Sequence, residues 1–400
     1  MSLSIRRLAR ILAPNVGIAL LRGSQLLILA LLARSPVDIR SLLLTGFGLL
    51  AAFAMLSDSG ATLYVLGIDR NALTRSVLGR SLVLQGITIG VGLSIGVTFT
   101  LIVSGKAGAT AVMLLVALAL NLAVDSLTRT AKAPLLVLGR DGAYGLLDLA
   151  LGAAKVAVLA VGILQESLLV MLALPLPGLV GLFLVTKWVA RRLPRGQPAP
   201  AGMTREILTT GVAGALSAGY SQMAVLVGSA MLPLHSAALL AASTRIVQSM
   251  ELIPSTFFLQ VMPRLRKWAS SWRRVYGGFL TLGAVLALAA YILRGLLEAF
   301  TGVELDVVPV FGLLLITFVL KSGNYFLVAR LLVLWPKRVW VMVNIVVNVV
   351  ALALAVIGCM LAGLFGAGMA AVGIEMTFAT LALLVMQRLR PRDCGKFETG

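Results

Sequence analysis

A chain of 400 residues that is 60% hydrophobic and only 12% charged, with a mean hydropathy of +1.02, cannot be a soluble globular domain, because its charged surface would not cover its core. The net charge of +19 would suit nucleic acid in a soluble protein, but no basic face carries interleaved aromatics, so that partner is set aside. Cys359 lies in a predicted helix and Cys394 near the C-terminus, neither with metal-ligand spacing, and the one histidine is His235. No nucleophile constellation and no glycine-rich phosphate loop with a lysine occurs, so neither a catalytic site nor a metal site is expected and the chain does not read as an enzyme.

Apolar stretches long enough to cross a bilayer follow one another from Ile11 to Met386. The basic N-terminus and its apolar run imitate a signal peptide, but Asn15 and Arg22 interrupt the run and no small-residue cleavage site follows. A retained first helix over 10–33 is expected. Further spans are predicted over 41–67, 81–104, 109–128, 142–163, 167–188, 206–231, 236–262, 276–297, 307–330, 338–361 and 365–387, about twelve in all. Pro175 and Pro177 interrupt the sixth of these, Pro254 the eighth, and Gly86, Gly90, Gly92 and Gly96 loosen the third.

Almost every second gap between spans is basic. Twenty-six of the 34 Lys and Arg residues fall on one side, in clusters such as Arg70/Arg75/Arg80, Arg129/Lys132/Arg140, Lys187/Arg191/Arg192/Arg195/Arg205 and Arg264/Arg266/Lys267/Arg273/Arg274. The other side holds only Arg34, Arg40, Lys106 and Arg294. Lys and Arg are retained on the cytoplasmic side during insertion, so both termini are expected in the cytoplasm of a multi-pass membrane protein. The cations at the helix ends also meet anionic lipid headgroups.

The polar segment RRLPRGQPAPAG (191–202) falls mid-chain and reads as a linker. The expected organisation is therefore a six-helix lobe over 1–190, a cytoplasmic linker over 191–205, a second six-helix lobe over 206–387 and a cytoplasmic tail over 388–400. Sliding the second half back by 196 residues aligns 239–266 with 43–70, two long helices that each stand second in their half and end in a basic turn. An even helix number per half gives both halves one orientation, the parallel type of repeat, with a pseudo-two-fold axis along the membrane normal.

Ionisable groups at bilayer depth are costly and mark partners or water-filled cavities. Four cations are placed there, Arg22, Lys155, Arg245 and Lys321, with the acids Asp58, Asp125, Asp148, Glu251 and Glu375. Arg22 and Gln25 lie three apart, as do Arg245 and Gln248; Asn121 and Asp125, and Asn344 and Asn348, lie four apart; Asp148 and Lys155 lie seven apart. Such spacing predicts a shared polar interior, although each group also has a packing role open to it. Asp148 and Lys155 can neutralise one another through other helices, Glu375 and the two asparagines can join helices, and Lys321 can snorkel.

The stretch LLAASTRIVQSMELIPSTFFLQVMPRLRKW (239–268) resembles the eighth-helix signature of lipid-linked oligosaccharide flippases. It has the small run Ala241–Ala242, then Arg245–Ile246, a central Pro254 and the terminal Pro263–Arg264–Leu265. LSDSGATLYVLGIDR (56–70) is similar to the same family's acid-small-Gly element. The family is the multidrug/oligosaccharidyl-lipid/polysaccharide (MOP) exporter superfamily, with the O-antigen and polysaccharide flippases as the branch resembled. The resemblance implies two six-helix lobes around a central cavity, alternating access, and an undecaprenyl-pyrophosphate-linked glycan moved to the periplasmic leaflet.

Under that resemblance Arg22, Arg245 and Lys321, with Gln25 and Gln248, would line the pyrophosphate site. Asp58, Asp125 or Glu375 would carry protons or sodium, and no other cofactor is expected. The lipid-linked glycan and the bilayer are the expected partners of a protein acting as a monomer, beside a glycan polymerase or assembly proteins. Two rivals stay open: an ion-coupled multidrug/cation antiporter of the same superfamily, and a membrane glycan polymerase, against which the short outer loops argue.

Overall fold

In a computed structural model, residues 20–21, 23–105, 108–195, 198–251, 253–255, 257, 272–305, 309–335 and 337–388 are described. Arg22, Lys106, Asp306, the 258–271 stretch with its Arg264/Arg266/Lys267 cluster, and Cys394 lie outside them, as do the cations of both termini other than Arg388.

The fold is all-α, and prolines and glycines punctuate it. Helix α1 covers Gly23–Ala33, and Pro36 precedes α2 (Val37–Leu56). The predicted second span is broken at Ser57–Gly60, where Gly60 takes φ +79°, and resumes as α3 (Ala61–Gly67). Thr74 caps α4 (Arg75–Ser104) by accepting from the Val77 amide at 3.3 Å, and Gly105 at φ +71° ends it. Helix α5 (Ala109–Val137) runs well past its predicted end, carrying Pro134 inside it. The chain then turns at Gly139 into α6 (Asp141–Leu164).

Pro175 starts α7 (Pro175–Ala190) at its first position rather than interrupting a helix, because a proline there gives up only an amide that has no helical partner. A 3₁₀ segment, Leu168–Ala173, precedes it. Helix α8 covers Met203–Met231 and α9 Leu234–Met250. The end of α9 follows from Pro254, whose ring would collide with the carbonyl four residues back, that of Met250. Helices α10 (Trp272–Ile292), α11 (Arg294–Thr301) and α12 (Val310–Leu334) follow. Two antiparallel arms close the described chain as α13 (Lys337–Arg388), reversing at Ala362 and Gly363. Eight described helices are long and apolar enough to cross a membrane, the two arms of α13 being taken as one.

The helices group into two compact units. One comprises Met1–Ala218 and Phe300–Val303, the other Gly219–Ala299 and Glu304–Gly400. The division falls inside α8, while the 191–205 segment belongs wholly to the first unit. In the first unit α5 packs on α2, α3, α4 and α7; in the second, α12 packs on α9, α10 and α13.

Apolar side chains face lipid as readily as protein here, so close approach at small residues holds the helices together. Gly92 and Gly96 of α4 lie directly against Ser57 and Phe53, which makes them contact points of α4. Gly60 and Gly211 bring backbone onto backbone: a Cβ on Gly60 would stand 2.5 Å from the Gly211 nitrogen.

Candidate functional site: buried charges in each unit

In the first unit the charges lie on the α5–α6 hairpin. Asn121, Asp125 and Lys132 recur at four and seven residues on α5, and Tyr144, Asp148 and Lys155 do so on α6. Lys155, 1% exposed, donates to Asn121 Oδ1 at 2.7 Å and is ion-paired with Asp125. Lys132 is ion-paired with the buried Asp148, and its ammonium lies 4.2 Å from the Tyr144 ring centroid. Antiparallel helices fix this pattern. Asp125 and Lys155 stand fifteen residues either side of Arg140, Lys132 and Asp148 eight, so both pairs are rungs of one hairpin.

Asp148 and Lys155 are therefore neutralised through α5 rather than by each other. Lys132, assigned from sequence to a cytoplasmic cluster, is a buried partner in α5; the seven-residue spacing from Asp125 was the signal that could have found it.

Asp58 sits at the break between α2 and α3, where its Oδ1 accepts from the Gly60 amide at 2.9 Å. Beside it Gln85, fully buried, accepts from the Ser59 amide at 3.1 Å and donates to Ser126 Oγ at 2.6 Å. These bonds replace helical ones that the break removes. Gln25 lies on α1, and its neighbour in the expected pair, Arg22, is outside the described residues.

In the second unit α9, α12 and α13 contribute a second cluster. Arg245, 5% exposed, donates from Nη1 to Gln248 Oε1 at 2.7 Å, so the three-residue spacing is a hydrogen bond. Glu251 caps α9, a consequence of Pro254, and receives Lys321 Nζ at 2.8 Å and the Tyr325 hydroxyl at 2.9 Å. Tyr325 was not singled out in the sequence, although it is one helical turn from Lys321.

Asn324, on the same stretch of α12, donates to Glu375 Oε2 at 2.7 Å and to the Glu375 carbonyl at 3.0 Å. Glu375 is 2% exposed. The Asn324 Oδ1 atom is buried with no hydrogen-bond partner among the described residues. That oxygen and the Glu375 carboxylate are hard ligands of the kind sodium or a water would take. Asn344 and Asn348 instead donate to carbonyls of their own helix, those of Trp340 at 2.8 Å and Asn344 at 2.7 Å. Among the described residues no group of three or more His, Cys, Asp or Glu side chains is arranged around a metal.

No protein-family model and no curated protein matches the chain. Solved structures do. A MATE transporter in complex with MaL6 aligns with a TM-score of 0.62 at 13% identity, covering 94% of each chain. An inward-facing multidrug resistance MATE family transporter of the MOP superfamily aligns at 0.60 and 13%, covering 94% of this chain and 96% of its own. A variant of the Vibrio cholerae MATE transporter VcmN aligns at 0.59 and 14%, covering 95% of each. The chain thus has the fold of MOP-superfamily transporters over nearly its whole length. The comparisons bring MATE transporters forward and give the O-antigen flippase branch no support.

Proposed function

We propose that the chain is an ion-coupled membrane antiporter whose cargo is a cationic or amphiphilic small molecule, with Glu375 as its coupling carboxylate. The observation that carries this reading is the contrast between the two buried acids of the second unit. Glu251 is neutralised by Lys321, whereas the side-chain partner of Glu375 among the described residues is the neutral Asn324. A carboxylate held by an amide can take up and release a proton or sodium without breaking an ion pair, and a buried charge moved in this way is coupled to the conformation that buries it. Lys155, Lys132 and Lys321 are each engaged by a carboxylate, which disfavours using them to receive a pyrophosphate.

In this reading 1–190 and 206–387 form the two lobes of a multi-pass inner-membrane protein, and 191–205 and 388–400 face the cytoplasm. Purified protein in proteoliposomes carrying an imposed proton or sodium gradient should accumulate a fluorescent organic cation such as ethidium. Glu375→Gln should abolish the dependence on the gradient. Gradient-driven uptake by Glu375→Gln equal to that of the unmodified protein would remove Glu375 from the mechanism, and no uptake under either gradient would reject the antiporter.

A second reading, a flippase for a lipid-linked glycan, is favoured by one observation, a guanidinium buried on α9 at Arg245, a group suited to bidentate phosphate contact. Arg245→Ala would then abolish surface glycan in a flippase-null strain complemented with this chain while protein abundance holds. Full complementation by that variant rejects the flippase role of Arg245.

A further inference from the structure

The basic end of the first unit carries a cluster that neither transport reading uses. Trp188, in the last turn of α7, is half-buried against the apolar group of Val185, Val189 and Leu193. The Arg192 guanidinium lies 3.6 Å from its ring centroid and donates to the Trp188 carbonyl at 3.3 Å. The Arg140 guanidinium, from the residue preceding α6, lies 5.3 Å from the same centroid. Arg75 of α4 fixes the turn beyond α7, its Nε donating to the Leu193 carbonyl at 3.1 Å and its amide to that of Pro194 at 3.3 Å. Three elements therefore hold one indole and two guanidiniums in a set position.

Arg140, Arg191 and Arg192 are exposed, and none of them forms an ion pair with a carboxylate among the described residues. Stacking on an aromatic ring orients a guanidinium while leaving its planar fork of donors for an oxyanion. Indole rings favour the boundary between acyl chains and headgroups. The second unit repeats the arrangement independently, with Arg330 4.6 Å and Arg273 5.7 Å from the Trp272 centroid.

We propose that Arg140, Trp188 and Arg192 form a binding site for an anionic phospholipid, the two guanidiniums taking its headgroup phosphate and the indole lying along its glycerol and upper acyl chain. With two guanidiniums free of ion pairs among the described residues against the single neighbouring carboxylate of Asp141, the site carries an excess of positive charge, so a headgroup such as that of phosphatidylglycerol fits better than a zwitterionic one. The site does not depend on which cargo is carried.

The test uses full-length protein in which Trp268, Trp272, Trp335 and Trp340 are replaced by Phe, leaving Trp188 as the reporter. It is reconstituted with phosphatidylglycerol or phosphatidylcholine brominated in the acyl chain. Brominated phosphatidylglycerol should quench Trp188 with an exchange constant roughly thirtyfold in its favour, from two cations near the surface. Arg140→Gln/Arg192→Gln should remove that preference, and Arg192→Lys should keep part of it because charge remains while the planar fork is lost.

Equal quenching by the two lipids, or a preference unchanged in the double variant, overturns the proposal. Loss of the preference in the presence of soluble inorganic phosphate overturns it in favour of a soluble-anion site. If the four Phe replacements prevent folding, the same comparison is read as the difference between unmodified protein and Trp188→Phe. A preference identical in those two proteins would again defeat the assignment.

Discussion

Replacing Lys155 with Met isolates the energetics of the α5–α6 hairpin. The methionine fills a similar volume and leaves Asp125 and Asn121 without the ammonium they share. Removing one partner of a buried ion pair costs about 3–5 kcal/mol, because the other charge stays behind in a poor solvent for it. Lys155 is almost wholly enclosed but the Asp125 side chain is 33% exposed, so the lower end applies, about 3 kcal/mol. For a cooperative unit of some two hundred residues each kcal/mol shifts the midpoint by about 2–4 °C, which gives a loss of roughly 6–12 °C. Thermal unfolding of detergent-solubilised protein, followed by a thiol-reactive dye or by loss of monodispersity, measures it. The double variant Lys155→Met/Asp125→Asn carries neither charge and should recover most of the loss. A single variant as stable as the unmodified chain, or a double variant worse than the single, would refute the view that this pair is a mutually dependent unit.

Tyr325→Phe removes one of the two donors to the Glu251 carboxylate among the described residues and should cost about 1.5–3 kcal/mol, as for a hydrogen bond to a charged group. A double-mutant cycle with Lys321→Met, read by thermal midpoint, should show the two donors to be coupled rather than additive. Gly60→Ala should lower the yield of folded protein, since it combines a left-handed backbone with a collision against Gly211, whereas Gly214→Ala, with nothing within 4 Å, should be tolerated. Fluorescence-detected size exclusion separates the two, and equal behaviour contradicts the close approach. A cysteine at Ala199, in a Cys359→Ala/Cys394→Ala background, should resist an impermeant maleimide applied to intact cells; labelling from outside would reverse the orientation given by the arginine clusters.

What the sequence made legible was whatever one helix determines by itself. The all-α membrane architecture, the positions of most spans and the Arg245–Gln248 pair follow from periodicity and from residues three or four apart on one strand of backbone. Pairing between helices was less accessible. Asp148 and Lys155 share a face of α6 and so looked like partners, but an antiparallel neighbour brought each a nearer one. Lys132, between Arg129 and Arg140, was assigned to a loop; its seven-residue spacing from Asp125 puts it on a helix face but does not name Asp148 as the partner across the hairpin. Prolines misled in a similar way. Pro175 reads as a breaker in an apolar stretch, and only the 3₁₀ turn before it reveals a helix start. The choice of cargo was the least legible, because the same embedded arginine suits an anionic headgroup and a structural bond equally well.

The mirror placement of the two ion pairs about Arg140 also bears on how the chain is made. Released alone into lipid, α5 would carry Asp125 and Lys132, and α6 would carry Asp148 and Lys155, each group at a cost of about 2.5–3.5 kcal/mol near the bilayer centre. Folded back on each other they present no net charge. The first of these helices is thus best kept at the insertion machinery until the second has emerged, and the pair delivered sideways as one hairpin. Substitutions in α6 should then be felt by a helix that the ribosome has already finished.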